Sequence, residues 1–331
     1  MSKKFKALVV SKEGDSFVRE IKERSVDDLP EGDVLIKVKY SSLNYKDALS
    51  AIGNKGVTRK FPHTPGIDAA GVVAESSDSS FQEGEEVLVT GYDLGMNTDG
   101  GFGEYIRVPS EWVVRLPKNL SLRESMIIGT AGFTAGLSVY SLAENNTMPE
   151  DGEILVTGAT GGVGSIAVAL LSKAGYHPVA VTGKMDRENF LKKLGAVRVI
   201  SRDEADDKSG KPMLKGVWGG AVDTVGGNIL ATAIKSTKYM GTVTACGLTQ
   251  STEFTSSVFP FILRGVRLIG IDSVELPMDI RLNVWNKLAN EWKLDNLDYL
   301  ANEIKLDDVD GYIDSILAGK LSGRTLINLQ S

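Results

Sequence analysis

Three glycines, Gly158, Gly161 and Gly164, stand at equal spacing directly after an apolar run, Ile154 to Val156. A small-residue helical pattern, Ser165 to Leu171, follows them. Strand, tight turn and helix in that order aim backbone N–H groups and a helix N-terminus at one point, where a pyrophosphate binds. Glycine is required because a Cβ would block the approach of phosphate to backbone, or of helix to strand. The spacing departs from the strict G-x-G-x-x-G, so the residues that follow must decide. About 20 residues on, a site that reads NAD carries Asp or Glu for the ribose hydroxyls. This chain has Thr182-Gly183-Lys184 there, and a hydroxyl with an ammonium suits the 2′-phosphate of NADP. Arg187 and Arg202 are further candidates for that phosphate.

Polar side chains gather in three other stretches: Ser41 to Asp47, Phe61 to Gly71 and Asp99 to Tyr105. Asn44 and Asp47 also fit the cap of a short helix, and Asp68 fits bonding to backbone N–H groups. The chain has one cysteine, Cys246, and two histidines, His63 and His177. That leaves no disulfide framework and no zinc ribbon. Cys246, in Ala245-Cys246-Gly247-Leu248, reads as a small buried hydrophobe rather than a nucleophile. No acid, base and nucleophile triad stands out.

The elements that position these groups differ along the chain. Up to about residue 120, short strands alternate with turns: Ala7 to Val10, Val34 to Tyr40, Gly71 to Ala74, Glu86 to Val89, Tyr105 to Val108 and Trp112 to Leu116. That spacing predicts a small, partly open β-barrel. A helix is predicted from Thr130 to Ala143. From Ile154 on, strands alternate with helices, and Asp186 is positioned to cap a helix over 187–194. Six strands, ending with Val266 to Ile271, predict a doubly wound parallel sheet. Two amphipathic helices follow, one spaced on Leu282, Trp285, Leu288 and Trp292 and one over 309–317, then a closing strand over 325–329. Arg324, in the turn before that strand, has two open readings, structural or lining the cleft.

Length and composition agree with about two globular domains. The 331 residues are 42% hydrophobic and 24% charged, with 37 basic and 43 acidic residues and a net charge of −6. An acidic balance argues against a nucleic-acid partner. No signal-peptide pattern opens the chain and no apolar run approaches 18 residues, so a soluble, cytoplasmic protein is expected.

Together, the glycine turn, Asn44-Tyr45-Lys46-Asp47, Gly66-Ile67-Asp68 and the Asp99 to Tyr105 stretch resemble the medium-chain dehydrogenase/reductase superfamily, over about residues 5–330. Zinc alcohol dehydrogenases of that superfamily carry Cys-His-x-Asp and Gly-His-Glu at the first two of these loops. The four-cysteine zinc lobe is missing too, residues 91–103 being short and glycine-rich. One cysteine and two histidines cannot build the usual catalytic zinc site. The resemblance is therefore to the zinc-free quinone oxidoreductase branch. Within it, Gly129-Thr130-Ala131-Gly132, Asp223-Thr224-Val225-Gly226, Phe259 to Arg264 and Gly323-Arg324-Thr325-Leu326 look like the YhdH/YhfP group, some of whose members are acryloyl-CoA reductases. Lys184 is a departure, standing where relatives often have Arg.

The resemblance implies an α/β chain in which a GroES-like β-barrel catalytic domain (1–126) precedes a doubly wound Rossmann domain (127–272) and a C-terminal return to the catalytic domain (273–331). It implies NADP(H) as cofactor, no metal, and reduction of an activated C=C, acryloyl-CoA to propanoyl-CoA. Quinone reduction, and NADPH binding without turnover, are the alternatives. Asn44 and Tyr45 take the place where zinc would sit, with the Tyr45 phenol or water as proton donor. The cofactor would meet Gly161, Gly162, Val163 and Gly164 at its diphosphate, and Thr182, Gly183, Lys184 and Arg202 at its adenosine end. Tyr45, Thr130, Leu248, Ile262 and Ser273 complete the implied cofactor contacts, the last three beside the nicotinamide. The apolar sixth strand ends an open sheet, and such an edge invites two-fold pairing, so a homodimer joined there is expected.

Overall fold

The computed structural model describes residues 3–330. The chain forms two compact units. One takes the chain up to Thr130, Val274–Ala289 and the residues from Asn296 on, and the other takes Ala131–Ser273 and Asn290–Asp295.

The first unit opens with β1 (Lys4–Glu13) and β2 (Ser16–Ser25), an antiparallel pair. β2 was not expected from the sequence: none of its ten residues is fully buried and five of them are charged, so it carries no apolar run. There follow β3 (Val34–Leu43), α1 (Tyr45–Ala51), β4 (Asp68–Ser76), β5 (Glu86–Thr90), β6 (Tyr105–Val108) and β7 (Val114–Arg115). β7 is shorter than the predicted strand because Ser110–Trp112 form a 3-10 turn, and the Trp112 ring stacks on Tyr92 at 5.3 Å.

α2 (Leu122–Glu144) starts a turn and more before its predicted position and is broken at Gly129, with φ +49°. By length and composition it is the one helix among the described residues that could cross a membrane, yet 83% of its apolar window is buried inside the fold.

In the second unit, β8 (Glu153–Val156), α3 (Gly162–Lys173), β9 (His177–Thr182), α4 (Glu188–Lys193), β10 (Arg198–Ser201), β11 (Trp218–Asp223), α5 (Gly227–Ser236), β12 (Thr237–Ala245), α6 (Phe259–Arg264) and β13 (Arg267–Gly270) build one sheet. Its order is β10-β9-β8-β11-β12-β13, and every pairing is parallel. That is the full dinucleotide-binding arrangement, with the glycine turn leaving the central strand. Leu155, Val179, Val181, Ala221 and Val243 are fully buried in its core, as strands covered on both faces require. β13 is an edge strand whose residues alternate between half-buried and exposed.

The chain then returns to the first unit with α7 (Met278–Ala289), β14 (Ala301–Lys305), α8 (Val309–Leu317) and β15 (Arg324–Asn328). Trp285 and Trp292 are core residues, while Leu282 is exposed and Arg281 takes the buried place on α7. β15 lies antiparallel to β3, with Thr325 opposite Leu43, in a seven-stranded sheet ordered β14-β15-β3-β4-β5-β7 with β6 also on β3. This register brings Arg324 to the end of β3, where α1 begins.

Candidate functional site

In the second unit the glycine turn is closed as its spacing requires. Gly158 has φ +58°, and a Cβ there would stand 2.3 Å from Thr224 Oγ1. A Cβ on Gly164 would stand 2.4 Å from the Gly158 carbonyl oxygen, so α3 packs on the turn only as glycine. Gly161 is the N-cap residue. The N–H groups of Gly162, Val163 and Gly164 belong to the first turn of α3, where no carbonyl one turn back can accept them.

The turn is pinned by a group the sequence reading did not place in the site. Asp223, buried at the end of β11, accepts from Thr157 Oγ1 at 2.8 Å and from the Gly226 N–H at 2.7 Å. Thr224 in turn donates its N–H to Thr157 Oγ1 and its hydroxyl to the Thr157 carbonyl. Burial pushes the Asp223 carboxyl up to about 6. The one sequence signal was an acid at a strand end ahead of Gly226-Gly227, with φ +70° and +61°. Cys246 donates its thiol to the Asp223 carbonyl, and burial pushes the thiol up to about 12, which leaves it without thiolate character.

At the end of β9, Thr182 is buried and its Oγ1 accepts the Lys184 N–H at 2.9 Å. Its hydroxyl thereby holds the backbone of the loop that carries Lys184. The Arg202 guanidinium lies against Gly183, where a Cβ would stand 3.0 Å from Arg202 Nε. Burial first, and the Arg187 and Arg202 charges, lower the pKa of half-buried Lys184. Three cations thus gather with Gly183, as a dianionic phosphate would need. Asp186 does not cap the next helix: Met185–Arg187 form a 3-10 turn, and α4 starts at Glu188 with no side-chain cap. Leu248 and Ile262 are exposed apolar residues of this unit, whereas Ser273 is buried and accepts from Thr134 Oγ1.

The first unit carries a buried polar network centred on Asp68. Its carboxylate accepts from Ser42 Oγ at 2.6 Å, Asn44 Nδ2 at 2.7 Å, Thr130 Oγ1 at 2.6 Å and the Thr130 N–H at 2.9 Å. Arg324, also buried, lies 3.8 Å from Asp68 and donates to the carbonyls of Ile127 and Leu43, to Asn44 Oδ1 and to Ser42 Oγ. Arg324 is therefore structural, which decides between its two readings. Gly129 makes the network possible, since a Cβ there would stand 2.5 Å from Ser42 Oγ and 2.6 Å from Asp68 Oδ2. Asp47 accepts the N–H groups of Asn44 and Ile67, and burial with the neighbouring Asp68 charge raises its carboxyl to about 7.

Asn44, read from the sequence as a substrate contact, has both ends of its amide engaged within the protein, by Asp68 and by Arg324. It sets the start of α1 and thereby holds Tyr45. Tyr45 is 37% exposed, and its phenol has no hydrogen-bond partner among the described residues. Thr130 likewise commits its hydroxyl and N–H to Asp68. His63 is a core histidine: its Nε2 meets Ser50 Oγ at 2.8 Å, and burial lowers its pKa to about 4. Among the described residues, no group of three His, Cys, Asp or Glu side chains stands where a metal ion could be held.

The chain matches the family described as Alcohol dehydrogenase GroES-like domain over residues 30–118, and Zinc-binding dehydrogenase over residues 162–290. It is 48% identical to "Putative quinone oxidoreductase YhfP" of Bacillus subtilis, over 99% of this chain and 100% of that protein. The crystal structure of the Bacillus subtilis protein with NAD bound superposes with a TM-score of 0.97, over 99% of this chain and 100% of that one. The yhdH oxidoreductase of Salmonella enterica, crystallised in complex with NADP, is 45% identical with a TM-score of 0.96, over 98% and 100% of the two chains. Acrylyl-CoA reductase AcuI of Ruegeria pomeroyi is 41% identical over 99% of this chain and 100% of its own length.

Proposed function

This chain belongs to the zinc-free quinone oxidoreductase branch of the medium-chain dehydrogenase/reductase superfamily, and on that premise we propose that it uses NADPH to reduce the C=C of an acryloyl thioester, acryloyl-CoA to propanoyl-CoA. The observation that carries this reading is the saturated Asp68 carboxylate. Where a zinc enzyme holds its metal, this chain spends its ligand positions on a closed network with Asn44, Thr130 and Arg324. An enoyl thioester is activated by its own conjugated carbonyl and asks for a positioned cofactor and a donor near the oxygen.

The residues present fit NADPH. The first N–H groups of α3 would hold its diphosphate, and Lys184 and Arg202, with Arg187 near, its 2′-phosphate. Leu248 and Ile262 offer apolar surface for the nicotinamide, while Thr182 and Ser273 act by shaping their loops. When bound, the cofactor supplies the hydride that reaches the β-carbon. Hydride addition leaves an enolate whose oxygen accepts a hydrogen bond from the free Tyr45 phenol; the phenol then gives its one proton to the α-carbon, and the phenolate regains a proton from water. Asn44, Asp68 and Arg324 keep that phenol in place.

A cytoplasmic homodimer joined through β13 is part of the proposal, supported by the half-exposed edge strand. The name of the Bacillus subtilis relative favours a second reading, quinone reduction. Steady-state NADPH consumption with acryloyl-CoA, small enones and quinones separates them. The proposal expects acryloyl-CoA to have the highest kcat/KM. Brisk quinone turnover with acryloyl-CoA untouched would overturn it.

A further inference from the structure

From Ala48 to Ile67 this acidic chain contains no carboxylate and three cations, Lys55, Arg59 and Lys60. All three are exposed, and none makes an ion pair among the described residues. They stand on the loop that follows α1, the helix that Tyr45 begins. The loop is not loose. Asn54 accepts the N–H groups of Val57 and Thr58 on its carbonyl and that of Gly56 on Oδ1. Thr58 is fully buried, and its hydroxyl joins Ser50 Oγ at 2.7 Å, which joins His63 Nε2. The Arg59 N–H is held at 3.0 Å by Asn97 Oδ1, and Asn97 is fixed in turn by Asp93. Arg59 Nε donates to the Lys55 carbonyl at 3.2 Å, which leaves both terminal nitrogens of the guanidinium without a partner.

A buried chain of hydroxyls and an imidazole thus holds three unpaired cations in a fixed loop, and none of these groups serves the reduction. An anchored fork of this kind, next to point-charge lysines, suits phosphate oxygens. The seven residues of α1 span about 10 Å, and the loop follows the end of α1 away from Tyr45, so the inference asks the flexible pantetheine arm to bridge from an acyl group at Tyr45 to the cations. We infer that the Lys55–Arg59–Lys60 loop is the subsite for the 3′-phosphorylated adenosine diphosphate end of a coenzyme A thioester. The inference rests on the thioester reading and deepens it: a quinone has no phosphates and would leave the loop without a ligand.

Two measurements on the full-length protein test it. The first compares kcat/KM for acryloyl-CoA with that for acryloyl-pantetheine, which lacks the nucleotide, in wild type and in the triple variant Lys55→Ala, Arg59→Ala, Lys60→Ala. The ratio should fall at least about tenfold in the variant, through KM, which corresponds to about 1.4 kcal/mol. Because the charges are exposed, the wild-type ratio should also fall as salt rises, and the variant ratio should not. The second measures binding of adenosine 3′,5′-bisphosphate by calorimetry with the dinucleotide site saturated with NADP; wild type should bind and the variant should not. If acryloyl-CoA is reduced while the ratio and the bisphosphate affinity are the same in both proteins, the subsite is wrong and the thioester reading stands. If the bisphosphate binds at the loop but acryloyl-CoA is not reduced, the thioester reading fails and the subsite stands.

Discussion

Replacing Arg324 with methionine keeps most of the volume of the side chain and removes its charge. The buried guanidinium donates to two backbone carbonyls, Ile127 and Leu43, and to Asn44 Oδ1 and Ser42 Oγ. It is also the cation beside Asp68, and its charge acts on Asp47 as well. Methionine offers none of the carbonyls a donor and leaves Asp68 buried without a counter-charge. Breaking a buried pair from one side costs about 3–5 kcal/mol. At roughly 2–4 °C per kcal/mol for a unit of this size, melting should fall by about 6–20 °C. Lysine restores the charge but not the fork, so Arg324→Lys should recover part of the loss. Asn44 loses the partner of its Oδ1, and Tyr45 moves with it; a displacement of about 1 Å can cost about 10²-fold in kcat. Affinity for NADPH, held by residues of the other unit, should change little. Thermal unfolding, nucleotide titration and kcat on the three proteins form the assay. If Arg324→Met melts within about 0.5 kcal/mol of wild type, as an ordinary surface change does, the network carries no such weight.

Lys184→Glu should erode the preference for NADPH over NADH by about tenfold to a hundredfold, the worth of one charge-assisted contact at about 1.5–3 kcal/mol; equal wild-type kcat/KM with both cofactors would refute the phosphate assignment. Tyr45→Phe should lower kcat by about 10²-fold or more if the phenol gives the proton, and a loss of only severalfold would assign the proton to water. His63 is held to about 4 in the fold against an ordinary 6.5. Its neutral form therefore contributes stability that is complete above pH 6.5 and is lost as pH falls through 4, about 3 kcal/mol in all. His63→Gln should flatten that part of the acid limb in urea titrations, and parallel limbs would contradict it. Light scattering at micromolar concentration should give the mass of two chains, and a monomer mass would count against pairing at β13.

The second unit was the more legible of the two in the sequence. Its strands are covered on both faces, so β8, β9 and β11 appear as short apolar runs closed by glycine. β14 was not seen because an edge strand with one buried residue, Ile304, has no pattern to read. In the site, the glycine turn could be read because the steric need for glycine is local. The Asp68 network could not, since Arg324 and Ser42 meet across 282 positions of chain. The same distance hid the partners of the Asn44 amide, Asp68 and Arg324, which only the fold brings to it. Asp223 and Thr157, 66 positions apart, are another such pair.

The fate of the hydride tests the central claim most directly. Acryloyl-CoA would be reduced with NADPH carrying deuterium at the transferring position of the nicotinamide, and the product examined by mass spectrometry and NMR. The account predicts propanoyl-CoA with one deuterium at the β-carbon and a solvent-derived proton at the α-carbon. Deuterium at the former carbonyl carbon, or acryloyl-CoA recovered unchanged while a quinone consumes the same NADPH, would contradict it.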